Sequence, residues 1–229
     1  MEKEGIKDAL AVCCYSTKAS CKVLFPERFS LPFSSLHDEI FEILDDDSIQ
    51  LAAIAAPRGF GKTSIVNLAY PAKKILFQEK KFIVQISSTA TKAVMDSENL
   101  KRELLQNPLV TELFGNIKSD AFSKESWVTS TGTMVLPRGA GQQVRGILFG
   151  HHRPDLIIGD DLENPVDVDN DETRAKMKRW FFADVMNCIN RAQKNWKIVV
   201  IGTILHEASL LADLLEGRMD LDEMAHKAA

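Results

Sequence analysis

The segment Ala56-Pro57-Arg58-Gly59-Phe60-Gly61-Lys62-Thr63 constrains this chain more than any other. It stands between a short apolar run, Ile49 to Ala56, and a helical pattern through Thr63, Ile65, Val66 and Leu68. Strand, glycine-containing loop and helix in that order match the phosphate-binding pattern GxxxxGK[ST] at Gly61, Lys62 and Thr63, with Ala56 in place of the first glycine. Glycines let successive backbone amides turn inward onto phosphate oxygens, and the following helix adds its positive N-terminal end. In such a loop Lys62 meets the β and γ phosphates and the Thr63 hydroxyl is a ligand for Mg²⁺. Pro57, Arg58, Gly59, Phe60 and Ser64 complete the nucleotide-binding stretch. A relaxed match alone also fits a glycine-rich turn ahead of a surface helix, and the flanking strand and helix favour the phosphate loop.

A second element is independent of the first. Leu156-Ile157-Ile158-Gly159-Asp160-Asp161 is an apolar run ending in adjacent carboxylates, the form of a Walker B strand. Asp160 is expected to hold Mg²⁺, and Asp161 to polarise the attacking water, with Glu163 a rival for that role. An acidic strand end leading into a turn is the plainer alternative. Charge spreading over a transferred phosphoryl group also calls for an arginine, worth roughly 10³ to 10⁵ in kcat. Arg58 lies inside the loop, within reach of phosphates of its own subunit. Arg145, in Gly141-Gln142-Gln143-Val144-Arg145-Gly146, lies in a glycine-flanked turn suited to reaching a neighbouring subunit. Ile201-Gly202-Thr203 closes another apolar run with a small polar residue, so Thr203 is expected to sense the γ phosphate, with His206 a weaker candidate.

The remaining pattern is one of strands alternating with helices. An N-terminal helix and an extended connection interrupted by Pro26 and Pro32 occupy residues 1–33. Helical spacing of Leu36, Ile40, Ile43 and Leu44 follows, with Ser35 and Asp38 as a capping pair. Pro71 is expected to end or kink the helix after the glycine loop. Phe82 to Ser87 and Lys197 to Ile201 are buried strands, and Trp127 to Leu136 alternates around Gly132 as a hairpin does. A helix spans about Thr91 to Leu105 with another before Phe114. Met177, Trp180, Phe181, Val185, Cys188 and Ile189 mark one face of a long helix, and Leu210, Leu211, Leu214 and Leu215 a last one. The expectation is an α/β fold with a mostly parallel sheet flanked by helices, its ATPase unit spanning 34–216.

At 229 residues and 45% hydrophobic content the chain holds one substantial core. A net charge of −4 excludes a protein coated in positive charge, so any nucleic-acid contact must be local. The candidate patches are Lys73 with Lys74, Lys80 with Lys81, Lys101 with Arg102, and the run Arg174, Lys176, Lys178, Arg179. Cys13, Cys14, Cys21 and Cys188 lack zinc-finger spacing, which suits a reduced protein. No run approaches the ~20 apolar residues of a membrane span.

Taken in order, five segments resemble the ATPase half of tailed-bacteriophage terminase large subunits. They are Pro57 to Thr63, Ile86-Ser87-Ser88-Thr89, Gly139 to Gly146, Arg153-Pro154-Asp155-Leu156 through Glu163, and Ile201-Gly202-Thr203; the similarity runs from about Leu36 to Glu216. The resemblance implies a P-loop NTPase of the additional-strand (RecA-like) type that binds ATP and Mg²⁺ and drives double-stranded DNA into a procapsid. It implies phosphate binding by Arg58 and Lys62, metal and water handling by Asp160 and Asp161, action across the subunit boundary by Arg145, and coupling by Thr203. The implied partners are DNA, the portal protein, the small terminase subunit and other copies of the chain in a ring, although such motors are often monomers in isolation. The implied location is the host cytoplasm at the capsid portal, away from membranes. Residues 217–229 are then a tail or the start of a linker to a nuclease domain, and no nuclease activity carries over. Other readings of the motifs are a helicase or partitioning ATPase, or a regulatory module that binds nucleotide without hydrolysing it. Intact Lys62, Thr63 and Asp160 argue against the last.

Overall fold

The computed structural model describes residues 3–218. Among these residues seven strands form one sheet: β1 (Leu51–Ala55), β2 (Phe82–Ser87), β3 (Lys118–Phe122), β4 (Trp127–Thr129), β5 (Met134–Gly139), β6 (Leu156–Asp160) and β7 (Lys197–Gly202). Their spatial order is β1-β7-β6-β2-β5-β4-β3. The first five in that order run parallel, and β4 and β3 add an antiparallel margin. β7 lies between the strand that feeds the glycine loop and the strand that ends in carboxylates, which is the inserted strand of the additional-strand class. The α/β expectation therefore holds.

Strand alternation divides the core into two layers. Ile54, Ile83, Leu156, Ile158, Val199 and Ile201 face one side. There they meet residues of α1 (Lys3–Tyr15), α2 (Thr17–Leu24), α3 (Ser35–Asp45), α4 (Tyr70–Leu76), α5 (Ala90–Gln106) and α6 (Pro108–Phe114). Val84, Ile86, Ile157, Ile198 and Val200 face the other side, against α8 (Asp171–Trp180), its π-helical extension Phe181–Val185, and α9 (Leu210–Leu215). A short helix α7 (Pro165–Val168) precedes α8.

Several local expectations change. The N-terminal region holds two helices, divided at Ser16, whose hydroxyl accepts from the Ala19 amide at 3.1 Å and so starts α2. The cap of α3 is Ser34 with His37, not Ser35 with Asp38; Asp38 pairs instead with Lys18 at 2.7 Å. The long helix expected through Ile189 begins at Asp171, and its π-helical stretch ends at Val185, leaving Cys188 and Ile189 buried beyond it. Pro71 does not end its helix. The chain passes from a π-helical stretch, Ser64–Ala69, into α4, and the carbonyl four residues before the proline, Asn67, accepts from Gln85 Nε2 at 2.8 Å. A buried side chain from β2 thus supplies a donor to this turn from outside the helix.

Most of the suggested basic patches are not surface charge. Lys73, Lys74, Lys80 and Lys101 are buried, against Asp45, Glu79, Asn195 and Glu98 respectively. In the last run Arg174 pairs with Asp171 and Lys178 with Asp213, leaving Lys176 and Arg179 exposed. Among the described residues no helix is long and apolar enough to cross a membrane, and all four cysteines are free thiols. The expected tail lies, beyond Arg218, outside the described residues.

Candidate functional site

The carboxyl ends of the parallel strands are in register, so the residues that follow them share one edge. Ala55 pairs with Gly202, Ile201 with Asp160, Asp160 with Ser87, and Ser87 with Gly139. In open α/β sheets this edge is where ligands bind.

The glycine loop turns over that edge. Gly59 and Gly61 have φ of +82° and +67°, conformations that side chains other than glycine's rarely adopt, while no atom lies near enough to bar a larger residue. The constraint is therefore on the backbone. Ala56 does not have positive φ, which explains why the first glycine of the motif is dispensable here. Its amide donates to Gly202 O at 2.9 Å, fixing the start of the loop to the end of β7. The helix begins at Lys62, and Arg58 is exposed at the turn.

Lys62 is 5% exposed, an unusual burial for a lysine. Its ammonium donates to Thr203 Oγ1 at 3.0 Å and to Ala56 O at 3.4 Å, and lies 3.7 Å from Asp161 Oδ1. Thr203 in turn donates to Ala56 O at 3.3 Å. The residue expected to sense phosphate thus touches the glycine-loop lysine directly. His206 does not reach this group; its Nδ1 accepts from the Ala208 amide at 2.9 Å within its own turn.

Asp160 is fully buried at the end of β6. Its Oδ2 accepts from Thr63 Oγ1 at 2.8 Å, Asn67 Nδ2 at 3.0 Å and Lys92 Nζ at 3.1 Å. Its Oδ1 is buried and has no hydrogen-bond partner. Burial pushes this carboxyl above the usual carboxylate range, and the Lys92 charge and the Thr63 hydroxyl oppose that rise. Asp161 follows with φ of +45°, a left-handed turn that aspartate tolerates better than most residues, and its amide continues the ladder to Ile201 O at 2.9 Å. The turn brings its carboxylate to Lys62. Glu163 is placed differently: its two oxygens accept from the amides of Leu210 at 3.0 Å and Leu211 at 3.4 Å, at the start of α9.

The residues present suit a magnesium ion. Mg²⁺ takes hard oxygen ligands, keeps several waters, and binds through one or two protein groups together with substrate phosphates. Thr63 Oγ1 and the unpartnered Asp160 Oδ1 are such a sparse oxygen set. Among the described residues no group of three histidine, cysteine or acidic side chains gathers to form a denser metal site.

Among the contributors that escape the sequence reading are Lys92, Asn67 and His37. Lys92, in the first turn of α5, bridges Asp160 and Asp96, its Nζ lying 3.2 Å from Asp96 Oδ2. Asn67 reaches Asp160 from the π-helical stretch, and Ser87 donates to Asp96 at 3.1 Å. His37 holds the loop tip: Nδ1 accepts from the Ser34 amide at 3.0 Å, so the proton lies on Nε2, which donates to Phe60 O at 2.8 Å. Beside the loop is a cleft of about 380 Å³ walled by Arg28, Phe29, Phe33, His37, Phe60 and Ile65. Two other clefts, of about 410 and 470 Å³, do not touch the loop. The segment 139–146 is anchored by Gln142, whose Oε1 accepts from Gly139 N at 2.7 Å and whose carbonyl accepts from Trp180 Nε1 at 2.8 Å. Arg145 is exposed on it and forms no ion pair with a described residue.

No family model matches the chain, and no curated protein matches it. Among solved structures, the crystal structure of the HK97 bacteriophage large terminase aligns with a TM-score of 0.57 over 82% of this chain, at 16% sequence identity. The aligned region is 38% of that terminase, so this chain spans well under two thirds of its length. What the two share is the α/β fold.

Proposed function

We propose that the chain is the ATP-hydrolysing motor portion of a viral terminase large subunit, which turns over ATP with Mg²⁺ to move double-stranded DNA into a procapsid. The observation that carries this reading is the meeting of separate motifs at one point. Thr63 donates to Asp160 at 2.8 Å, and Lys62, its neighbour in the loop, touches Thr203 and lies beside Asp161.

In this reading the amides of the glycine loop and the Lys62 ammonium hold the triphosphate. The aromatic-walled cleft beside Phe60 is the place for the base. Thr63 and Asp160 hold Mg²⁺, which supplies charge neutralisation on the phosphates when bound. Asp161 is the carboxylate that orients and deprotonates water, because both oxygens of Glu163 are engaged at the start of α9. Thr203 relays the position of the Lys62 ammonium to the segment that leads into α9. Arg58 serves its own site and Arg145 a neighbour's, with the portal protein, the small terminase subunit and other copies of the chain as partners.

The test is Mg²⁺-dependent phosphate release with duplex DNA, single-stranded DNA or none. Lys62→Ala is expected to lose at least roughly 10² in turnover, since the charge developing on the phosphates loses a fixed partner. Stimulation by duplex over single strands supports a packaging motor, and the reverse points to a helicase. Turnover no greater than that of Lys62→Ala under every condition would replace the motor with a binding module.

A further inference from the structure

Lys92 has no part in that scheme, yet among the described residues it is the one cation that forms an ion pair with the buried carboxylate. We propose that Lys92 is the resident counter-cation of Asp160 in the nucleotide-free protein, and that it withdraws to Asp96 when a divalent ion arrives. The inference rests on the proposed metal-nucleotide role of Asp160.

A carboxylate with no solvent exposure must be neutralised, protonated or paired. Asp160 is paired one-sidedly. Three donors crowd Oδ2 while Oδ1, equally buried, has none. A lone oxygen beside a satisfied one is a ligand position held open. The lysine side chain whose ammonium balances the charge is about one third exposed, on the first turn of a helix rather than in the core, so it has room to move.

Asp96 gives it somewhere to go. It lies one helical turn further along α5, already 3.2 Å from the same ammonium, and Ser87 Oγ at 3.1 Å holds it in place. Lys92 can therefore release Asp160 by a side-chain rotation without losing its second partner. Magnesium entering alone must compete with a tethered cation, whereas magnesium entering with a triphosphate brings negative charge that favours both. The pair thus ties metal binding to nucleotide binding.

The experiment reads the metal directly. Mn²⁺ binding to the whole, nucleotide-free chain is measured by electron paramagnetic resonance, in mildly alkaline buffer so that the Asp160 carboxyl stays ionised when its partner is removed. Lys92→Met is expected to bind Mn²⁺ roughly tenfold tighter than wild type, because a tethered competitor is gone. Lys92→Arg, which keeps the charge, should resemble wild type. Asp96→Asn, which leaves the ammonium nowhere to withdraw, should bind Mn²⁺ more weakly. Should Lys92→Met unfold, Lys92→Gln carries the same expectation.

Unchanged Mn²⁺ affinity in the uncharged variants, or in Asp96→Asn, overturns the proposal in favour of a purely structural ion pair. Binding of a fluorescent ATP analogue in chelator is followed in parallel. If nucleotide binds and Mn²⁺ affinity does not move, the lysine proposal alone fails. If the Mn²⁺ shifts appear and no nucleotide binds, the nucleotide reading alone fails.

Discussion

Lys197, at the start of β7 and the opposite end of the sheet from the glycine loop, is 3% exposed and spends its ammonium on three carbonyls, Ile43 at 2.6 Å, Asp46 at 2.8 Å and Leu44 at 3.0 Å. These are the last carbonyls of α3 and the residue after it, groups that a helix end leaves without partners. Burial lowers this lysine from its ordinary 10.5 to about 8, and the nearby Lys74 charge adds to the effect. Between those values the folded protein binds fewer protons than the unfolded chain, so stability rises with pH. The contribution is absent below about 8, grows through the window, and is complete above 10.5. Lys197→Met is expected to cost about 1–3 kcal/mol near neutrality through the carbonyls it orphans. It should also remove that share of the rise, so the gap to wild type widens as pH climbs through the window. Urea unfolding at neutral pH and within the window checks this; a gap that does not change with pH sinks it.

The helix after the glycine loop shows the same dependence on distant side chains at the level of an element. Its π-helical stretch aims Asn67 at Asp160, and the Asn67 carbonyl, which Pro71 cannot serve, is met by Gln85 from β2. Gln85→Leu is therefore expected to lower stability by about 1–3 kcal/mol in urea unfolding, leaving a buried carbonyl unpaired. In a Pro71→Ala background, where an amide is available again, the loss should shrink; equal losses in both backgrounds would show that proline and glutamine do not share that carbonyl. The glycine loop, the Asp160 strand end and most strands were legible in the sequence because each is a local pattern of apolar alternation, glycine or adjacent carboxylates. Lys92, Asn67, Gln85 and His37 were not. Each acts on a residue far along the chain, and nothing in a lysine one turn into a helix distinguishes it from a solvated one. The basic pairs misled for the same reason: Lys73, Lys74 and Lys80 read as surface charge, and only the fold brings Asp45, Glu79 and Asn195 to them.

Across the whole molecule the question is whether one chain holds a complete site. Lys62, Thr63, Asp160, Asp161 and Thr203 converge within it, but Arg145 stands exposed on a segment pinned by Gln142, without a carboxylate partner among the described residues. An exposed guanidinium without such a partner suits the proposed action on a neighbouring copy, as an arginine supplied in trans acts in phosphoryl transfer. If it serves a neighbour in a head-to-tail ring, Lys62→Ala and Arg145→Ala are defective for different reasons in different subunits. Mixed in equal amounts, about a quarter of the contacts would join an intact Lys62 to an intact Arg145 across a heterologous interface. ATP turnover of the mixture should then approach that fraction of wild type, at a concentration where sedimentation shows an oligomer. Each variant alone should stay near background, with Arg145→Ala still binding nucleotide. Turnover of the mixture equal to the average of the two variants would place the arginine's action, if it has one, within its own subunit.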